Sequence, residues 1–155
     1  MTVTFDQVRN LLAADEPNYA VAVRWGSQVL PHLQALINSG DEDLGAKAAS
    51  LAGFIDDDRA VEVLRQAANS ASALVRLAAA GALRKMKRPA AASVLMALLH
   101  DGDAGVRKLA IKSAATRDNA ALLSKIDDLS RRDPSAGIRS LASRVVSEGR
   151  SRRSA

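Results

Sequence analysis

The chain has 155 residues, 48% apolar but only 3% aromatic, and a formal net charge of +5. It contains no Cys, which excludes disulfides, thiolate metal sites and Cys nucleophiles, and no apolar run of about 18 residues, which excludes a spanning helix. The length fits a single domain, and the Ala- and Leu-rich, aromatic-poor composition suits closely packed helices.

Met1–Asp6 lacks a basic segment followed by an apolar one, so no secretion signal is expected and the cytoplasm is the expected location. Thr4 and Gln7 have the spacing of a capping box. A first helix is predicted from about Phe5 to Ala14, with Phe5, Val8, Leu11 and Leu12 on one face. Asp15–Asn18 breaks it. A second helix is predicted over 18–25, ended by Gly26, and a third from about Ser27, where Pro31 is tolerable only in the first turn. Its apolar stripe is Leu30, Leu33, Leu36 and Ile37, and Ser39–Asp41 closes it.

From Asp43 onward the chain repeats. Leu44, Val75, Val106 and Ile138 each open a similar stretch, at spacings of 31, 31 and 32 residues. Such a period marks a stacked-repeat solenoid. Each unit holds an A helix carrying the anchor (about 43–54, 74–87, 105–116, 136–148) and a B helix (about 59–69, 89–100, 119–131). Matching B-helix positions keep step: Leu33, Leu64, Leu95 and Ile126; then Leu36, Ala67, Leu98 and Leu129. The small residues Ala48, Ala79, Ala110 and Ala142 recur in the A helices and allow close approach. The expected fold is an all-α, right-handed alpha-alpha superhelix of four to five helix pairs. Residues 1–148 form one domain, with 1–27 as N-terminal capping helices and 28–148 as the regular repeats; 149–155 is expected to be a basic, disordered tail.

Charge is polarised along the chain. Residues 1–62 carry a net −6, residues 63–130 a net +6, and residues 131–155 a net +5. This polarity admits head-to-tail self-association. The basic excess lies toward one end, so a nucleic-acid partner is not the leading expectation; an Arg-rich C-terminal binder stays as an alternative.

The run Asp103-Ala-Gly-Val-Arg-Lys-Leu-Ala-Ile111 resembles the HEAT repeat, and more closely the short HEAT-like repeat of phycobilin lyases. Val75/Arg76, Val106/Arg107 and Ile138/Arg139 fit that pattern; Asp41 and Asp103 fit its preceding acidic position. Ser72, Ser135 and Gly45 depart from it. The resemblance spans about residues 28–148 and implies the fold. Its functions are diverse: scaffolds, lyase subunits, a metal-dependent hydroxylase and DNA glycosylases. It also implies that Arg76, Arg107 and Arg139 pair with acidic groups of adjacent units or turns, as exposed pairs each contributing about 0–1 kcal/mol.

No catalytic constellation emerges. His32 and His100 lack a paired-ligand motif, so no metal and no cofactor are expected. Trp25 reads as a packing residue at the open end of the stack, and Asp56–Asp58 as acids favoured by a helix N-terminus. The remaining surface is the wall of B helices, which in solenoids is extended and usually concave. Register puts Gln34, Arg65, Met96 and Asp127 in one exposed column and Asn38, Asn69, His100 and Arg131 in a second. This mixed polar wall suits a protein or peptide partner, so a non-enzymatic scaffold or adaptor is the expected function. The alternative is a lyase-like accessory subunit acting on a partner protein.

Overall fold

The computed structural model describes residues 1–155. The chain opens with α1 (Phe5–Ala13) and α2 (Tyr19–Arg24), followed by a single 3-10 turn, Gly26–Val29, and α3 (Leu30–Ile37). The repeats then run α4 (Glu42–Ala52), α5 (Asp58–Ala68), α6 (Ala73–Ala82), α7 (Ala91–Leu98), α8 (Ala104–Ala114), α9 (Ala120–Arg132) and α10 (Ala136–Ser154). No helix is long and apolar enough to cross a membrane.

Local chemistry explains where these helices begin. Thr4 and Gln7 form the capping box that starts α1. Side chains of Asn18, Asp41, Asp57, Ser72, Asp103, Asn119 and Ser135 accept from the first-turn N–H groups of the helices they precede. Ser72 and Ser135, which depart from the acidic pattern, therefore keep its capping role. Gly26 and Gly40 have φ of 60° and 85°, values that a side chain would strain. Gly26 turns the chain into the 3-10 segment, so α3 begins at Leu30 rather than near Ser27, and Pro31 lies in its first turn as expected.

The elements stack in two layers. Consecutive anchor helices α4, α6, α8 and α10 touch one another, and so do α3, α5, α7 and α9. This is the alpha-alpha superhelix that the period implied. One continuous core of 41 residues runs from Val3 to Val145, with no break between units. Leu33, Leu64, Leu95 and Ile126 are all fully enclosed, as the 31-residue step requires. A lone helix pair would leave these side chains wet; the next pair supplies the wall.

The anchor layer is packed through small residues. Ala48, Ala79, Ala110 and Ala142 are completely buried. At Gly53 an added Cβ would lie 2.8 Å from the Ala82 carbonyl oxygen, a backbone atom that cannot swing aside. Replacing Ala110 by Leu is therefore expected to cost about 1–3 kcal/mol through overpacking. A chemical denaturation midpoint equal to wild type would contradict this packing.

Two further boundaries differ from the sequence expectation. α6 stops at Ala82, not near residue 87. α4 and α8 stop within a residue of the matching place, at Ala52 and Ala114, and in the turn after α6 the Arg117 guanidinium donates to the carbonyls of Leu83, Met86 and Arg88. Residues 149–154 are helical, and α10 runs through them to Ser154; the expected disordered tail is corrected. Arg150 lies 3.8 Å from Asp127 and Arg153 lies 3.9 Å from Asp118, while Arg152 and Arg153 sit where the helix dipole favours cations.

Candidate functional site

The anchor arginines form a ladder along one edge of the stack. Arg76 grips Asp101 through Nε and Nη2 at 2.8 and 3.2 Å, and its Nη1 donates to the carbonyls of Ser70 and Ala71. Arg107 repeats this on Asp133, with both contacts at 2.8 Å, and on the carbonyls of Asp101 and Gly102. Arg139 binds the carbonyls of Asp133 and Pro134, with no carboxylate on its fork. Each paired carboxylate also accepts from the backbone N–H two residues on, at Asp103 and Ser135. One guanidinium thus ties the turn before its own helix to the turn of the next unit. These cations are committed to structure.

For Arg76 and Arg107 the pairing with neighbouring turns is as the family resemblance implied; Arg139 finds carbonyls and no carboxylate, and the expected exposure is corrected. Arg107 and Asp133 are 7% and 3% exposed. The hydrogen bond from Arg107 holds the Asp133 carboxyl below its usual pKa, against the opposing push of burial. At Asp101 burial is the largest influence and raises the pKa, yet the bonds from Arg76 and the Asp103 N–H outweigh it and the net shift is downward.

A second set of arginines binds the other edge. Arg88 bridges Asp56 at 2.9 Å and Asp58 at 3.1 Å, and Arg117 clamps the turn that follows α6. Asp57 caps α5 and takes a hydrogen bond from Arg59, which lowers its pKa to about 2. Asp56–Asp58 is therefore a helix start with its own counter-ions. No group of three His, Asp or Glu side chains is placed to hold a metal ion. His32 Nε2 lies 3.0 Å from the Val3 carbonyl with its ring edge-on to Phe5, and His100 Nδ1 lies 2.9 Å from the Met96 carbonyl of its own helix. Trp25 is half-buried against the core.

The outer wall of α3, α5, α7 and α9 carries the two expected columns. Gln34, Asn38, Asn69, His100 and Arg131 are exposed; Arg65, Met96 and Asp127 are half-buried. Arg65 bonds Glu62 and reaches across to Ser93 on α7, while Arg131 pairs with Asp127 at 2.6 Å. Only part of the set converges on a cavity. Gln34, Asn38 and Asn69 join Gln66 around an open notch of about 600 Å³ between α3 and α5. Gln66 is half-buried, and its side-chain oxygen is enclosed with no hydrogen-bond partner in the chain.

Sequence reasoning missed the opposite layer. A groove of about 400 Å³ crosses α4, α6 and α8, floored by Leu74, Leu77, Ala78 and Leu109. Leu74 is 45% exposed and Phe54 42% exposed, the largest values for apolar side chains beyond Met1. The signal was present in α6: Leu74, Val75 and Leu77 point in different directions around the helix, so one buried stripe cannot hold all three.

These features define a stack of helix hairpins sealed along both edges and offering two outer faces. Residues 29–115 and 66–147 match the family model of HEAT repeats, and the chain belongs to the HEAT-repeat family. No curated protein matches the sequence. Among solved structures, the complex of CpcE and CpcF of phycocyanin lyase from Nostoc sp. PCC7120 is similar, at 19% identity and a TM-score of 0.72. The match covers 91% of this chain and 96% of that one. At that identity the likeness speaks for the fold alone.

Proposed function

We propose that the protein is a non-enzymatic scaffold or adaptor that holds a partner protein or peptide along the wall of α3, α5, α7 and α9. The observation that carries this is the notch in which Gln34, Asn38, Gln66 and Asn69 meet. Side-chain amides offer both a donor and an acceptor, so they suit the mixed polarity of a peptide main chain. Membership of a repeat family whose stacked surfaces serve as extended binding walls supports the same reading.

The test is affinity capture from the native host followed by binding measurements on the purified partner. Arg65→Glu and Asn69→Ala are each expected to weaken that complex while leaving the thermal melt within a few degrees of wild type. Binding unchanged in both variants would remove this wall from consideration.

A second reading, an accessory subunit resembling phycobilin lyases, rests on the likeness to the phycocyanin lyase complex over nearly the whole chain. Co-expression with a bilin and a phycobiliprotein subunit separates the two. Covalent pigment attachment that depends on this chain favours the second reading, and its absence leaves the scaffold.

A further inference from the structure

The geometry points to a second docking surface, on the opposite layer from the wall proposed above: the groove across α4, α6 and α8 receives an acidic amphipathic helix of a partner protein. Its floor is apolar and open. Leu74 stands 45% exposed at the start of α6, and Leu77 and Leu109 are half-buried beside it. Phe54 extends the apolar surface at the end of α4, exposed on the far side of a contact with Tyr19. Single exposed apolar side chains need no explanation, but a contiguous set lining a groove does.

Charge says what kind of chain fits. Lys85 lines the groove and lies 3.8 Å from the centre of the Phe54 ring; no carboxylate pairs with it. Lys108 and Lys112 flank Leu109 on α8, are exposed, and also make no ion pair. The exposed faces of α6 and α8 contain no Asp or Glu at all. Lys47, at the other side of the groove, is already paired with Asp43 at 3.0 Å, which leaves Lys85, Lys108 and Lys112 as the free cations beside it. Unpaired lysines around an apolar floor therefore complement a ligand with an apolar stripe bordered by acids.

The secondary structure of the ligand follows from hydrogen bonding. The groove offers few polar groups, chiefly Ser50 and two lysines. An extended segment laid there would lose water from its N–H and C=O groups without replacement, whereas a helix satisfies them internally. A flat anionic membrane would not reach into a groove. Nucleic acid would gain nothing from Leu74, Leu77 and Leu109.

The experiment titrates the full chain into a fluorescein-labelled 18-residue peptide with Leu at helical i, i+4, i+7 and i+11 spacing and Glu on the flanks. A peptide of identical composition with scrambled spacing, phosphatidylserine vesicles and a single-stranded DNA 20-mer form the other arms. The patterned peptide is expected to bind at least tenfold more tightly than the scrambled one. Leu74→Asp, and the pair Lys108→Glu with Lys112→Glu, are each expected to weaken it at least tenfold with unchanged circular dichroism; both sites are on the surface. Arg65→Glu, on the other wall, is expected to leave it alone. Equal binding of both peptides, binding only to vesicles or DNA, or loss only in Arg65→Glu would overturn the proposal. The scaffold reading of the other wall would survive the first two outcomes and be strengthened by the third.

Discussion

Asp133→Ala is expected to cost about 3–5 kcal/mol, the largest loss from any single charged side chain in this protein. The carboxylate is 3% exposed and receives two 2.8 Å bonds from Arg107, itself 7% exposed. Removing it leaves a guanidinium out of water with only the Asp101 and Gly102 carbonyls, and it also frees the Ser135 N–H that starts α10. Asp127→Ala is the matched control. Its partner Arg131 is largely in solvent, so a loss of only about 0–1 kcal/mol is expected there. Urea denaturation of the two variants checks the contrast, and equal losses would refute it. The pH dependence has a defined sign. Because the Asp133 carboxyl is held below its usual value in the fold, its contribution is complete above the unfolded pKa, about 3.9, and fades as pH falls through the lower folded value. The gap between wild type and Asp133→Asn is thus expected to be constant from pH 5 to 8 and to shrink below about pH 4.

Leu95→Ala is expected to cost about 2–5 kcal/mol. Leu95 is completely enclosed in α7, and the equivalent Leu64 and Ile126 of the units before and after it are enclosed too. Its surroundings belong to three units that are fixed by the arginine clamps on both edges, so the space left by truncation cannot collapse readily. Leu123→Ala, a half-buried position on α9 beside a surface groove, is expected to lose much less. Guanidinium chloride midpoints of the two variants give the comparison.

The periodic part of the fold was legible because one physical demand recurs every 31 residues. Leu33, Leu64, Leu95 and Ile126 must each be covered by a neighbour, and the sequence repeats at that step. The ladder shows a subtler regularity. Where the anchor helix carries Arg76 or Arg107, the turn 25 or 26 residues on carries Asp101 or Asp133. Where it carries Gly45, the turn carries Ser70, whose hydroxyl accepts from the Ser72 N–H in place of a carboxylate. Across the three units that have a following turn Arg and Asp are present or absent together, so the pairing could have been read from the repeat alignment alone.

Features outside the repeat were not legible. Arg117 has no counterpart one period earlier, where Met86 stands, so nothing in the pattern announced that it would bind the turn after α6. The helix over 149–154 brings Arg150 and Arg153 near Asp127 and Asp118, carboxylates of α9 and the turn before it that lie far away in sequence. Helical register put Asn38, Asn69, His100 and Arg131 in solvent as expected, but Arg65, Met96 and Asp127 of the other column are half-buried against neighbouring helices. Convergence of Gln34, Asn38 and Asn69 on a notch with Gln66, and the apolar groove opposite, depend on the spacing between units, which register does not specify.

The most direct test of the stack uses the absence of Cys from the chain. Glu62→Cys, Ser93→Cys and Ser124→Cys place spin labels at exposed, equivalent positions on α5, α7 and α9. Packed helices lie about 8–10 Å apart, so pulsed electron-spin distances should show the 62–124 separation close to twice either single step. A 62–124 distance no longer than 62–93 would mean that the helices close on themselves, and the serial arrangement would be wrong.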